Sequence, residues 1–343
     1  MTAMQDVKKR VWKQVFVSVL VIAGTLLCYS VYTLWSSSVV LVGFWHPHHI
    51  SDSHSIIPLG NGTDDALVPN LVHLVRFGNP VITFVELICI KAALLYIKPK
   101  KLYIHCDNAP KGRYWDEISN HSDIEVVYLE RPRQVFGIAI DVVQHASDVA
   151  RLQILMQLGG IYLDNDVFVC RSFDEFRHYT FTVGWPTKDA LIGNQILIST
   201  KDAPFLLEYY DSYHKFDDSQ WYYNAGQVPT DDILRKNPDI AHTVPDEVFG
   251  VSVGLIYTIF LQKTDWHKWH ALHLLYRHRP YLTKDDPIKE HDPINIKKLD
   301  TTFGAMARSV LPYVSLYVMQ DGRTYELKKQ QLSYRTANYW REQ

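Results

Sequence analysis

The sequence predicts an α/β domain with a mostly parallel central sheet, preceded by one N-terminal transmembrane helix. Three features predict it: a charge-free apolar run near the N-terminus, short apolar strands alternating with amphipathic stretches from residue 69 onward, and two aspartates directly after one of those strands. Composition agrees with a folded chain. Of the 343 residues, 47% are hydrophobic and 21% charged, which excludes a disordered or collagen-like polymer. A formal charge of -2 argues against nucleic acid as a partner, because a phosphate-tracking protein carries an excess of Lys and Arg. Four cysteines are too few for a disulfide-held miniprotein.

Residues 1–14 read as a cytosolic tail and residues 15–35 as a membrane anchor. No Asp, Glu, Lys or Arg occurs from Gln14 through Ser51, and the 21 mostly apolar residues of the run span a hydrocarbon core of about 30 Å at ~1.5 Å per residue. Lys8, Lys9, Arg10 and Lys13 precede the run, and no further Lys or Arg appears until Arg76. The positive-inside rule then puts the rest of the chain in the lumen, as a single-pass type II protein. Competing readings are a cleaved signal near residues 36–38 and a buried core helix. Sequons at Asn61 and Asn120 agree with lumenal exposure. Residues 36–68, rich in Ser, His, Gly, Asn and Pro, read as a stem; His46, His48 and His49 are solvated stem histidines rather than a preorganised metal site.

The lumenal domain is expected over residues 69–343, undivided by a repeat or linker. Its strands are predicted at residues 71–77, 102–105, 125–129, 161–163 and 195–199, and its helices at 82–96, 147–158, 204–213, 265–276 and 303–310. Gly159 and Gly160 end the 147–158 helix. Cys89, Cys106 and Cys170 allow one disulfide in an oxidising compartment, with one thiol over; three small buried hydrophobes are the alternative.

Asp164 and Asp166 follow an apolar strand and so emerge at its carboxyl end, where open α/β sheets form their ligand crevice. Residues two apart on a strand point the same way, and two carboxylates so placed share a hard divalent cation that meets the charge of a diphosphate. Asp-Asn-Asp is also ordinary turn chemistry. Asp148 and Arg151, three apart, share a helix face near its first turn, where they read sugar hydroxyls or pair with one another.

The stretch Ser147-Asp148-Val149-Ala150-Arg151, then Leu155, then Gly159-Gly160-Ile161-Tyr162-Leu163-Asp164-Asn165-Asp166 resembles the glycosyltransferases of the sugar-binding region containing DXD motif. These are related to α-1,4-galactosyl-, α-1,4-N-acetylglucosaminyl- and fungal α-mannosyltransferases. The resemblance runs more weakly over residues 68–308 and implies the GT-A nucleotide-sugar fold. It implies that Asp164 and Asp166 engage Mn2+ or another divalent cation and the donor diphosphate, and that Asp148, Arg151 and Tyr162 contact the donor sugar. Pro69-Asn70-Leu71-Val72-His73 looks like the family's opening strand, without its Trp-containing continuation. Gly193-Asn194-Gln195 resembles the family's loop facing the donor sugar, which makes Asn194 and Gln195 candidates; loop amides that cap backbone are the alternative. Ala271-Leu272-His273-Leu274 resembles the segment whose His is a third metal ligand, which selects His273 over His270.

The implied activity is metal-dependent transfer of a hexosyl or N-acetylhexosaminyl group from a nucleotide sugar, with retention of configuration. A UDP-sugar is the favoured donor and GDP-mannose the second; the acceptor is a glycan, glycolipid or glycoprotein, and the expected location is the Golgi membrane. A catalytically silent lumenal carbohydrate-binding protein derived from a transferase is the alternative. Phosphotransfer through an aspartyl nucleophile ranks below both, because Phe168 stands where that motif requires Thr or Val. Trp221 and the following Tyr222-Tyr223-Asn224-Ala225-Gly226-Gln227 read either as core or as a surface facing the acceptor.

Overall fold

The computed structural model describes residues 65–284, 286–311, 318–320 and 323–325. The expected anchor and all but the last residues of the stem lie outside that range, and no helix among the described residues is long and apolar enough to cross a membrane.

Strand β1 (Leu71–Arg76) opens the domain, followed by helix α1 (Phe84–Tyr96). Thr83 and Glu86 close a reciprocal capping box at the start of α1, which satisfies two otherwise unpaired amides. Strands β2 (Lys101–Cys106) and β3 (Ile124–Tyr128) come next, then helix α2 (Val143–Leu158) and strand β4 (Gly160–Leu163). After them run β5 (Val167–Val169), β6 (Phe181–Gly184), β7 (Gly193–Ser199) and helix α3 (Pro204–Asp211). The last third contributes β8 (His242–Val244), β9 (Phe249–Gly250), helix α4 (Leu255–Leu261), β10 (Ala271–His273), the short helix α5 (Arg279–Leu282) and helix α6 (Thr302–Val310).

The main sheet has the order β8-β6-β7-β4-β1-β2-β3. Parallel pairing links β3, β2, β1 and β4, and again β6 and β8; β7 runs antiparallel between β4 and β6. Side chains alternate between two cores as the pleat requires. From β1, β4 and β7, Val72, Leu74, Ile161, Leu163, Ile196 and Ile198 join the core under α1 and α6. Their neighbours Val75, Tyr162 and Leu197 join the opposite core, under α2 and α3. A second sheet, β9-β10-β5, is built on the first core.

Four local expectations change. Helix α2 begins at Val143, so Asp148 and Arg151 lie beyond its first turn. No helix spans 265–276: a 3-10 turn at Trp266–Lys268 gives way to β10, because Ala271, Leu272 and His273 pair with Val169, Phe168 and Val167 of β5. Histidines at spacing three are not a helical face here; His267 faces Asp265 at the surface and His270 turns to Glu175 and the Ser172 carbonyl. Third, α3 stops at Asp211 and tightens into a 3-10 turn at Ser212–Lys215. Fourth, the strand predicted at 195–199 begins two residues earlier, so that Gly193 and Asn194 join Gln195 in β7 rather than forming a loop before it. Cys89, Cys106 and Cys170 are free and buried, the hydrophobe reading of the three.

Candidate active site

Topology gathers the candidate residues at one edge of the sheet. Because β1 and β4 are parallel, the chain leaving β4 emerges beside the carboxyl end of β1, and Asn165 donates to the Val75 carbonyl at 2.8 Å. Because β7 is antiparallel to β4, its first residues meet the last of β4, and the Asp164 amide donates to the Gln195 carbonyl at 2.9 Å. Asp164 and Asp166 stand in the turn between β4 and β5 rather than on the strand itself. Pairing of β10 with β5 sets His273 opposite Val167, one residue from Asp166.

Asp164, Asp166 and His273 each offer one ligand atom, and these atoms lie within 4.8 Å of one another. Two carboxylate oxygens and an imidazole nitrogen suit Mn2+ or a similar hard-to-borderline cation. Ligand atoms held at about 2.0–2.2 Å from one ion lie no more than about 4.4 Å apart, a small side-chain movement from this arrangement. Asp166 is already oriented: its Oδ1 is 3.2 Å from His273 Nε2, and its Oδ2 accepts from the Tyr276 amide at 2.9 Å. Burial alone would raise the Asp166 carboxyl, but His273 and the Tyr276 amide hold it below the usual carboxylate range. Burial likewise opposes the charge on His273, and Asp166 and Asp164 outweigh it to raise the imidazole.

A buried polar cluster flanks these ligands. Arg151 Nη2 lies 2.9 Å from Asp148 Oδ1; Arg151 Nη1 lies 3.2 Å from Asp164 Oδ1 and donates to the Asn194 carbonyl at 2.8 Å. Asn194 donates from its amide to Asp148 Oδ1 at 2.8 Å. The Tyr162 hydroxyl donates to Asp164 Oδ1 at 2.7 Å while its ring lies under the Arg151 guanidinium, 4.5 Å from the centroid. Burial raises the Asp148 carboxyl despite Arg151 and Asn194, and pushes the Tyr162 hydroxyl well up, so that Tyr162 remains a donor at neutral pH. The guanidinium's fork reaches four acceptors on three elements, counting the Ser147 carbonyl, a pattern an ammonium does not reproduce.

All eight predicted residues line one cavity of about 1150 Å3. Gln195 takes part chiefly through its backbone, and its side chain folds back over Gly193, where an added Cβ would meet Gln195 Nε2 at 2.4 Å. Sequence reasoning missed Asn165, which ties the aspartate turn to β1, and the Tyr276 amide, which carries no side-chain signal. It also missed Arg76, buried on the cavity wall and paired with Glu86; the Thr83 to Glu86 capping spacing was the available clue.

Residues 89–182 match the family model described as glycosyltransferase sugar-binding region containing DXD motif. The chain carries that region. The match contains Asp148, Arg151, Tyr162, Asp164 and Asp166, whereas Asn194, Gln195 and His273 lie outside it and join the DXD region only through the fold. A curated relative, glucan organizing enzyme 1 of Cryptococcus neoformans var. grubii serotype A, is 28% identical over 209 residues, 56% of each protein; the chain thus spans little more than half the length of that relative. Similar solved structures include the PaToxG glycosyltransferase, with 16% identity, 71% of this chain and 87% of that one covered, and a TM-score of 0.38. An active-site mutant of LgtC shows 10% identity, 70% and 95% coverage and a TM-score of 0.41. The glycosyltransferase GlyE of Streptococcus pneumoniae TIGR4 shows 10% identity, 71% and 63% coverage and a TM-score of 0.41. At such scores these likenesses add nothing to the functional reading.

Proposed function

We propose that the protein is a metal-dependent glycosyltransferase that moves a sugar from a nucleotide sugar to a glycan, glycolipid or glycoprotein acceptor. The observation that carries the proposal is the convergence of Asp164, Asp166 and His273 beside the Asp148-Arg151-Asn194 cluster in one cavity, within a chain matched by the DXD family. The family match and the strand order support a GT-A-like donor domain.

Asp164, Asp166 and His273 would hold Mn2+ or a similar cation, which when bound supplies charge neutralisation to the departing diphosphate. Arg151 fixes Asp164 in place and shields its charge from Asp148. Asp148 and the Asn194 amide present acceptor and donor groups toward sugar hydroxyls, and Tyr162 holds one Asp164 oxygen so that the other faces the cavity. The volume of about 1150 Å3 exceeds what a typical single small ligand needs and accommodates donor and acceptor together. A UDP-sugar is the first choice of donor and GDP-mannose the second, with retention of configuration. The apolar run at residues 15–35 and its preceding basic residues support a type II membrane protein with the domain lumenal, and the Golgi membrane is the proposed location.

Hydrolysis of a donor panel by the full-length protein in Mn2+ tests this. UDP-glucose, UDP-galactose, UDP-N-acetylglucosamine and GDP-mannose form the panel; the name of the Cryptococcus relative is the reason to begin with UDP-glucose. Manganese-dependent release of one sugar supports the transferase. Tight saccharide binding with no turnover of any donor would instead favour a silent carbohydrate-binding protein.

A further inference from the structure

The cavity extends to both sides of the aspartate turn. On one side lie the end of β1 and the start of α1, including Val75, Phe77 and Thr83; on the other lies the entry to β7, where Trp221, Tyr222 and Ala225 join the lining. Trp221 and Tyr281 line this cavity and yet are 54% and 77% exposed. An exposed aromatic is ordinary at a surface, but two that line the cavity of the candidate site offer flat apolar faces to whatever enters it.

The segment under Trp221 is pinned. His145, buried on α2 one turn before Asp148, bonds Asp218 through Nδ1 at 2.8 Å and the Trp221 carbonyl through Nε2 at 3.2 Å. Asp218 also accepts from the Asp141 amide at 3.2 Å, and the His145 ring lies 5.8 Å from the Trp221 ring. Next in sequence, Tyr222 donates to the Ile192 carbonyl at 2.9 Å, and its ring lies over Gly226, where a Cβ would stand 2.1 Å away. Asn224 accepts from the Asp217 amide at 3.0 Å and donates to its carbonyl at 2.8 Å. Two π-helical segments follow at once, Tyr223–Gln227 and Pro229–Leu234, a backbone form frequent at functional sites. His278, just before α5, meets the Trp221 ring edge-on at 6.4 Å and joins it to the helix that carries Tyr281. The backbone that carries the indole is thus fixed, with His145 and His278 beside the ring, while the side chain stays more than half exposed in the cavity lining.

We infer that Trp221, with Tyr281 of the same cavity lining, forms the acceptor-sugar subsite, stacking on the apolar C–H face of a pyranose ring. The inference rests on the glycosyltransferase reading and deepens it: the β1 flank is left for the donor nucleoside, the aspartates take its diphosphate, and the β7 flank takes the sugar that is extended. Gln144 and Arg277 line the same cavity and supply hydrogen-bonding groups for that ring's hydroxyls. A flat aromatic face sorts saccharides by which face carries the axial hydroxyls, so Trp221 contributes to acceptor specificity as well as affinity.

The test uses full-length protein, the donor turned over in the panel above, and p-nitrophenyl α- and β-hexopyranosides of glucose, galactose and mannose as acceptors. Trp221→Ala is expected to raise the acceptor KM at least tenfold, with the donor KM and acceptor-free donor hydrolysis within twofold of the unaltered protein. Trp221→Phe is expected to recover most of the loss. An unchanged acceptor KM, or a donor KM that rises instead, overturns the subsite and leaves the transferase reading intact. If no donor is turned over, that reading fails, and the subsite is judged by 19F resonances of 5-fluorotryptophan-labelled protein, with Trp221 assigned through Trp221→Phe. A shift of its signal on adding the same glycosides upholds saccharide stacking. No shift, or a shift only with phosphatidylcholine vesicles, which would mark a membrane-facing surface, overturns it.

Discussion

Arg151 is the residue on which the candidate donor site turns. It is buried, and its guanidinium spans Asp148, Asp164 and two backbone carbonyls, which only a planar fork with several donors achieves. Arg151→Lys keeps the charge and loses the fork, leaving the Asn194 carbonyl and one carboxylate short of a donor. At about 1–3 kcal/mol for an unsatisfied buried group, kcat/KM for the donor is expected to fall roughly 10- to 100-fold, and the unfolding midpoint is expected to fall as well, because the same groups go unpaired inside the fold. Donor kinetics and a urea melt check both parts. Asp148→Asn is milder by the same reasoning, because the amide still accepts from Arg151, and a loss of about tenfold is expected. Much of this was readable before folding: Asp148, Arg151, Asp164 and Asp166 are close in sequence and joined by a specific Gly-Gly-x-Tyr spacing. Asn194 and His273 were reachable only by resemblance, since 28 residues or more separate each from the aspartates and β pairing, not local pattern, closes the distance.

Among elements, the junction of α2 and β4 is constrained by both backbone conformation and space. Gly160 has φ +112°, and a Cβ there would stand 2.7 Å from the Leu71 carbonyl and 2.9 Å from His73 Nε2. Gly160→Ala is expected to destabilise the fold by at least about 1–3 kcal/mol, a lower urea midpoint at unchanged slope. His73, on β1 behind this glycine, donates from Nε2 to the Gly159 carbonyl at 3.0 Å, so its Nδ1 accepts from His105 Nε2 at 3.1 Å. Both rings are therefore neutral. Burial depresses them, His73 to about 4 despite its bond to Gly159, and His105 well below the usual value, with His73 contributing. The unfolded chain then binds more protons between pH 6.5 and about 4, so stability is full above pH 6.5 and falls as pH drops through that window. His73→Gln keeps both hydrogen bonds without a titrating ring and is expected to lessen the loss of urea midpoint between pH 7 and 5. Some slope should remain, since burial, helped by Arg279, also depresses His291 to about 4. An unaltered slope would contradict the assignment. The element at 265–276 shows why periodicity misled: His267, His270 and His273 recur at helical spacing, but the apolar residues Ala271 and Leu272 are claimed by β5. Propensity yields to tertiary pairing in so short a segment.

For the molecule as a whole, the antiparallel strand β7 organises the site. A parallel strand in that place would have delivered its first residues to the opposite edge, away from the aspartates; reversal brings Asn194, Gln195 and, through Ile192, the Trp221 segment to the same cavity. The α/β class, the largely parallel sheet and five of the seven main-sheet strands followed from the apolar pattern, whereas the reversal of β7 did not, because that strand is buried on both faces and reads like its parallel neighbours. Removal of divalent cations with EDTA is expected to abolish donor turnover while leaving the far-ultraviolet circular dichroism unchanged, since the two apolar cores that hold the sheet include none of the three ligands. Restoration by Mn2+ completes that check.

The claim that Asp164, Asp166 and His273 jointly hold a cation for a nucleoside diphosphate is tested most directly by calorimetric titration of Mn2+ into the full-length protein with UDP present. The unaltered protein should bind one Mn2+ with UDP. His273→Ala should weaken it at least tenfold, and the isosteric double variant Asp164→Asn/Asp166→Asn should abolish it without loss of fold. Equal Mn2+ affinity in that double variant would contradict the assignment.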